Sequence, residues 1–368
     1  MKKPSRWKKF FRILLVIGNI VVAAGLLLAY ACCRINPEKL WWIGFFGLAY
    51  LWLLVANLVF IALWWLVRPR KYMLLSLVVI LSGWNVSARN IRLSGRSLPE
   101  NRWENSFKML SFNVHMFRQN NVVQADGTKL DIIDFFSNSG ADLICMQEFS
   151  NAIQPDRIGE QLQMSYHYVE LTSTSNLGIA TFSRFPIVNR QLIYADNSVN
   201  GCIYTDVLIH GDTVRVFNLH LKSIGFGNRH LRLLNNALRR EYSETDVRAA
   251  KSIVKQMVGA AIRRSRQVAI VERYITQSPY PVVICGDFND PPVSYSYQRI
   301  RGDLRDAFID AGSGRSTTYD IGTLSSQRID YILHAKYFQS YDYESPHIHL
   351  SDHHPVICRL KKQVGAKN

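Results

Sequence analysis

The chain has 368 residues, 48% of them hydrophobic, with a formal net charge of +16. That length accommodates two domains, and six cysteines without CxxC or Cys/His zinc spacing exclude a disulfide framework and a zinc-finger protein. The charge is uneven: residues 1–88 carry 11 Lys/Arg and a single acid, Glu38, whereas the remaining 280 carry 33 basic and 27 acidic residues. Most of the basic excess therefore reads as a membrane-topology signal, and the later part is only mildly basic.

Seven of the eight Trp lie in the first 90 positions. Residues 10–33 form an apolar run long enough to cross a bilayer. Residues 40–67 form a second, with Trp41-Trp42 and Trp64-Trp65 at its ends, as in interfacial aromatic belts. Residues 72–88 form a shorter third run. Two further runs follow the first, so it reads as an uncleaved anchor rather than a signal peptide. Residues 1–12 carry six Lys/Arg and residues 68–71 carry three. The positive-inside rule keeps both stretches cytoplasmic. Three spans (10–33, 40–67, 72–88) then predict a multi-pass protein of the inner (cell) membrane with everything after about residue 90 extracytoplasmic. Two spans would leave that part in the cytoplasm. Residues 89–106 are polar, with Gly and Pro, and read as a linker lying along the headgroups through Arg89, Arg92 and Arg96.

From residue 107 short β-branched runs alternate with helical patterns. FKMLSFNV, DLICMQE, YHYVEL, GIATFS, IYTDVLI, TVRVFNLHL, VVICGDF, RIDYILH and HPVICRL read as strands, with Gly211-Asp212 as a hairpin turn. Residues 128–139 read as an amphipathic helix. Residues 228–277 read as a long basic helical stretch containing Arg229, Arg232, Arg239, Arg240, Arg248, Lys251, Lys255, Arg263, Arg264 and Arg266, either a solvated face or a surface for anionic headgroups or a polyanionic substrate. The order predicts a mixed α/β sandwich over 107–362, with two packed sheets and helices outside.

Polar residues recur where the apolar strands end: Asn113, Glu148, Asn218, His220, Asp287, Asn289, Asp330, Asp352 and His353. A charge ending a buried strand needs a partner or a metal. Glu148, Asn113 and Asp352 supply oxygen donors suited to Mg²⁺ or Mn²⁺. A histidine held by a carboxylate orients water or stabilises charge. The set has the chemistry of phosphodiester hydrolysis. Arg184 reads as structural, Asp290 as a turn residue, His354 as packed or exposed, and Tyr319 as a groove or core aromatic.

The segments LSFNV, DLICMQE, GIATFSRFPI, VFNLHL, VVICGDFND, RIDYIL and SDHHPV, in this order, resemble the endonuclease/exonuclease/phosphatase (DNase I-like) superfamily over residues ~107–360. The resemblance implies a four-layer sandwich and metal-dependent cleavage of phosphate esters. It implies that Glu148 binds the metal with help from Asn113, with Asp352 near it. Asp287 and Asn289 would handle water and phosphate, and His353 would be the principal catalytic histidine, oriented by Asp330. His220, with Asn218, would lie on the phosphate side. His115 stands where repair nucleases often carry Asp. The substrate expected is nucleic acid or phospholipid, the anchor's partner is membrane lipid, and no protein partner is inferred. The alternative is a non-catalytic phosphate- or lipid-binding module on the same fold.

Overall fold

The computed structural model describes all residues except 1–5, 119–121, 124–128, 173–175, 196–199, 225–243, 322–324, 364 and 366–368. Arg229, Arg232, Arg239 and Arg240 lie outside the described residues.

Helix α1 (Arg6–Cys32) has 27 residues, about 40 Å at 1.5 Å per residue. It is the one described helix long and apolar enough to cross a membrane. The second run is two helices, α2 (Gly44–Leu48) and α3 (Tyr50–Leu66), in a pair bent by 60° that passes the same test only when taken together. The third expected span, 72–88, is not one. It breaks at Gly83 into α4 (Met73–Ser82) and α5 (Trp84–Ser87). Ten residues of α4 rise about 15 Å, half a hydrocarbon core. At Gly83 the Tyr30 ring occupies the place of a Cβ, so the break is a packing contact that hydropathy does not register. Inside the bundle, Ser76 Oγ donates to Asn19 Oδ1 at 2.6 Å and Asn19 Nδ2 donates to Tyr72 O at 3.0 Å. These bonds satisfy polar groups that would be costly among apolar neighbours.

Residues after α5 do not behave as a free linker along headgroups. Arg92 and Gly314 exchange backbone hydrogen bonds, and Arg96 N donates to Ala311 O at 3.0 Å. Leu98 N donates to Asp342 Oδ1 at 3.1 Å. Arg89 turns inward, donating to Pro292 O at 3.4 Å and lying over the Tyr297 ring. Backbone donors and acceptors on the following fold take up the hydrogen-bonding groups of this segment.

In chain order the rest comprises β1 (Ser106–Asn113), the short pair β2 (Val122–Val123) and β3 (Lys129–Leu130), α6 (Ile132–Ser139), β4 (Leu143–Ser150), α7 (Pro155–Leu162), β5 (Tyr166–Leu171), β6 (Leu177–Ser183), β7 (Ile187–Ala195), β8 (Gly201–Ile209) and β9 (Asp212–His220). There follow α8 (Glu244–Thr276), β10 (Val282–Asp287), α9 (Tyr295–Arg301), β11 (Arg305–Asp306), α10 (Ala307–Ala311), the hairpin β12 (Tyr319–Ile321) and β13 (Ser325–Gln327), β14 (Asp330–His334), β15 (Phe338–Glu344) and β16 (Val356–Lys362). The helix expected over 128–139 starts only at Ile132. Asp131 caps it by accepting from Asp134 N at 2.8 Å, and Gly140, in the left-handed region at φ +62°, ends it.

Two six-stranded mixed sheets form, ordered β15-β16-β1-β4-β6-β5 and β11-β14-β10-β9-β8-β7. Each has a parallel pair at its centre, β1/β4 and β9/β10, flanked by antiparallel strands. Alternation sorts the side chains into layers. Met109, Cys145, Val216 and Cys285 face inward between the sheets. Leu110 and Phe112 face outward onto α6 and α7, and Phe217 and Ile284 face outward onto α8 and α9. The two sheets between helix layers agree with the predicted sandwich. All six cysteines are buried and unpaired by disulfides.

Gly286 sits where β9 and β10 approach most closely. Its φ is +132°, and an added Cβ would collide with the Leu219 carbonyl. Gly286→Ala is expected to lower unfolding free energy by about 2 kcal/mol or more, through a steric clash added to a strained φ. Urea denaturation checks this.

Candidate active site

The inward alternation that fills the core with apolar side chains ends, at one edge of the sandwich, in polar ones. Strand β1 runs Met109, Ser111, Asn113 on its inner face; β9 runs Val216, Asn218, His220; β10 runs Val283, Cys285, Asp287. The central parallel strands all finish at this edge, and β14 starts there with Asp330. Pairing sets Asp287 directly beside both His220 and Asp330. Chain-distant residues therefore meet because strand direction and register agree.

Two carboxylates opposed across neighbouring strands repel. Here both are almost wholly buried, and His353 lies between them. Its Nδ1 is 3.0 Å from Asp330 Oδ2 and its Nε2 is 3.6 Å from Asp287 Oδ2. Burial, the largest influence, disfavours the imidazolium, but the Asp330 and Asp287 carboxylates outweigh it and raise the His353 pKa to about 10. His353 is thus a cation at neutral pH. Burial pushes the Asp287 carboxyl up, opposed by His353 and His220. Asn289, at φ +51°, accommodates the turn after β10, a conformation asparagine tolerates. Its backbone N–H donates to Asp287 Oδ1 at 2.8 Å and its Nδ2 to Asp287 Oδ2 at 3.0 Å. Asp290 is more than a turn residue. Its Oδ1 accepts from Arg264 at 3.0 Å and its carbonyl accepts from Tyr331 Oη at 2.8 Å, anchoring the loop. Arg264 is consequently buried, not part of a solvated basic face.

Glu148 reaches the site through a defect. Between Gln147 and Phe149 the β4/β6 register slips by one residue, and Glu148 sits in the left-handed region at φ +51°. The bulge re-aims its carboxylate into the cleft. Asn113 Nδ2 lies 3.5 Å from Glu148 Oε1 and 3.2 Å from Asp287 Oδ2, joining the two sheets beneath the site. His220 Nε2 is 3.9 Å from Glu148 Oε1 and 3.5 Å from Asp287 Oδ2. Ser351, which the sequence did not single out, fixes the SDHH turn. Its Oγ donates to Asn113 O at 2.7 Å and accepts from His353 N. His115 Nδ1 lies 3.3 Å from Asp352 Oδ1.

These residues border one cavity of about 490 Å³. Glu148, His220, Asp287, Asn289, Asp352 and His353 line it, together with His115 and Tyr319. Asp330 and Asn113 stand behind that wall. Asn218, expected at the phosphate, is not at the cavity. Its Oδ1 accepts from Gln147 at 2.7 Å, and its Nδ2 donates to Ala180 O at 2.8 Å and Met146 O at 3.3 Å. Two residues back along the strand is about 7 Å deeper into the sandwich, where an amide must bond its neighbours. Asn218→Ala is therefore expected to cost about 2 kcal/mol of stability while sparing turnover, as thermal melts beside activity assays would show.

Tyr319 packs on His353 with ring centroids 4.7 Å apart. Its hairpin is pinned from behind by His354, which is buried, has Nε2 3.0 Å from Asp320 Oδ2 and stacks on His347. Arg184 is structural, pairing with Asp142 at 3.5 Å.

A divalent cation fits the donor chemistry on the Glu148 side, where Glu148 and Asp352 present carboxylate oxygens to the cavity. Asp287, Asp330 and His353 also cluster within 4.8 Å. There, however, the imidazole already occupies the position between the carboxylates, hydrogen-bonded to Asp330 and ion-paired with Asp287, so that trio reads as a charge cluster rather than a metal site.

Residues 110–353 match the model of the endonuclease/exonuclease/phosphatase family. The chain belongs to that family. Residues 9–90 match a domain of unknown function, DUF8431. No curated protein matches the chain. Among solved structures, D. rerio TDP2 humanized by 14 mutations is 14% identical, with a TM-score of 0.50, covering 70% of this chain and all (100%) of that one. Endonuclease/exonuclease/phosphatase proteins from Beutenbergia cavernae (17% identity, TM-score 0.49, 70% of this chain and 72% of that) and Bacteroides vulgatus (16%, 0.48, 71% and 100%) are similar over the same share. At such identity the likeness to TDP2 speaks for the fold alone. Membership in the endonuclease/exonuclease/phosphatase family makes this a phosphoesterase-type hydrolase fold.

Proposed function

We propose that this chain is a membrane-tethered, divalent-cation-dependent phosphodiesterase. Residues 1–88 are its anchor and 107–362 its catalytic unit, joined by 89–106. The observation that carries the reading is Asp287 and His353, backed by Asp330, on the wall of a cavity that Glu148 and Asp352 also face. A bound Mg²⁺ or Mn²⁺ at Glu148 and Asp352 supplies charge neutralisation at the phosphate. Asp287, its carboxylate held by both nitrogens of Asn289, orients the attacking water and takes its proton. The bond from water oxygen to phosphorus forms as the bond to the leaving alcohol breaks, and the alkoxide is protonated from solvent at the cavity mouth. The His353 cation and the His220 imidazole stand where negative charge grows on the phosphoryl oxygens. Asp330 keeps His353 oriented and charged. Every residue of this machinery is present, which favours a hydrolase over a non-catalytic binding module.

The packing of the anchor supports an extracytoplasmic catalytic unit. Cys32 Sγ, at the end of α1 opposite the basic N-terminus, donates to Val293 O at 3.3 Å, and Gly47 packs against the same carbonyl. Contact with the Cys32 end favours the side of the membrane on which α1 ends.

Purified full-length protein is expected to hydrolyse bis-p-nitrophenyl phosphate with Mg²⁺ or Mn²⁺ and to stop in EDTA, and Asp287→Asn is expected to be inactive with cation present. Turnover indifferent to both changes refutes the reading. D. rerio TDP2 has been solved with a single-stranded DNA product, so an oligonucleotide belongs in the substrate panel.

A further inference from the structure

The cavity that holds the phosphate-handling side chains is not closed by the catalytic unit alone. Leu48, the last residue of α2 in the anchor, forms part of its wall. Leu48, Ile224 and Pro291 also line a second, largely apolar crevice that adjoins the first. On one side that crevice is bounded by the anchor through Ile35, Trp41 and Phe45, and on the other by Met257 and Val258 of α8. The placement is fixed. Val293, just past the GDFND turn, is buried in the anchor's own apolar core with Cys32, Ile43 and Tyr50.

We propose that the anchor and the catalytic unit together form an acyl-chain subsite, and that the substrate is a glycerophospholipid phosphodiester drawn from the bilayer in which the anchor sits. This rests on the phosphodiesterase reading and specifies its substrate. Three observations and one physical argument select this occupant. The crevice adjoins the reaction cavity, sharing Leu48, Ile224 and Pro291 with it, so one molecule with a phosphate and an apolar tail could span both. Its anchor-side wall includes exposed Trp41, whose neighbour Trp42 is exposed too, as at membrane interfaces. A lipid whose phosphate rises to the site would drag part of its tail into water, and an apolar wall beside the site keeps that tail covered. A polynucleotide instead needs cations along its path, and among the described residues lining the cavity none is Lys or Arg.

The test compares full-length protein in nanodiscs on dioleoyl-phosphatidylglycerol, dibutyryl-phosphatidylglycerol, a DNA oligonucleotide and bis-p-nitrophenyl phosphate, each with Mg²⁺. The ratio of kcat/KM for the long-chain over the short-chain lipid is expected to exceed tenfold. Phe45→Asp and Ile35→Asp, which put charge into the crevice, are expected to reduce that ratio at least tenfold; Phe45→Leu is expected to keep it. Turnover of the aryl ester in each variant reports that the fold survives. An equal rate on both lipids, a ratio unmoved by both charged variants, or cleavage of the oligonucleotide with neither lipid touched overturns the subsite while leaving the phosphodiesterase standing. Failure on every ester, the aryl one included, removes the phosphodiesterase and the subsite with it.

Discussion

His353→Ala is expected to lower phosphodiester turnover by about a thousandfold and to destabilise the fold at the same time. The two effects have one origin. Asp287 and Asp330 are cross-strand neighbours, almost wholly buried, and His353 is the cation between them. Deleting it leaves two carboxylates facing each other in a low-dielectric edge, a change of the kind that costs about 3 kcal/mol or more. Asp287 then holds its proton and no longer accepts one from water. The pH dependence carries a further signature. The folded pKa of His353 is about 10, above the roughly 6.5 of an unfolded histidine. Its stabilisation is therefore complete below the unfolded value and lost as pH rises through the folded one. Urea titrations of the wild type are expected to show falling stability across that window, and those of His353→Ala are expected to lack the fall. A variant retaining activity within tenfold of wild type would remove His353 from the mechanism.

The second large effect is expected at Glu148. Glu148→Gln keeps the volume and removes the charge, so the Mg²⁺ or Mn²⁺ concentration for half-maximal activity is expected to rise about 100-fold, with saturating turnover well below wild type. Without cation the variant is expected to be at least as stable as wild type, because Glu148 and Asp352 no longer share the cavity as like charges. A purely structural glutamate gives the opposite pattern, losing stability with an unchanged cation requirement. Metal titrations of activity and melts in EDTA separate the two.

Much of the site was legible because its residues end strands. In VVICGDF and VFNLHL the apolar alternation stops at a polar side chain, and sequence period alone assigns Asp287 and His220 to the inner face. The same period misled at Asn218. It too faces inward, but depth along the strand, not face, decides whether a side chain meets solvent or the opposite sheet. Glu148 is the converse case. Strict alternation from Cys145 and Gln147 points it away from the core face, and only the bulge returns it to the cleft. The sequence does not announce that bulge, since nothing but a local register slip distinguishes Gln147-Glu148-Phe149 from regular strand. The anchor was misread for a related reason. Hydropathy sums the apolar residues of 72–88 but does not see that the helix breaks at Gly83, where the Tyr30 ring packs.

By itself the sequence determined most of the strands, the two-sheet class and which polar residues end those strands, because periodicity and residue chemistry are local properties carried by neighbouring positions. Only the tertiary structure decided that Asp330 and Asp287 flank His353, that Ser351 sets the SDHH turn, and that a leucine from the N-terminal helices walls the cavity. Those relations depend on register and packing between segments tens to hundreds of residues apart, and distance along the chain holds no information about distance in space until the chain has closed on itself.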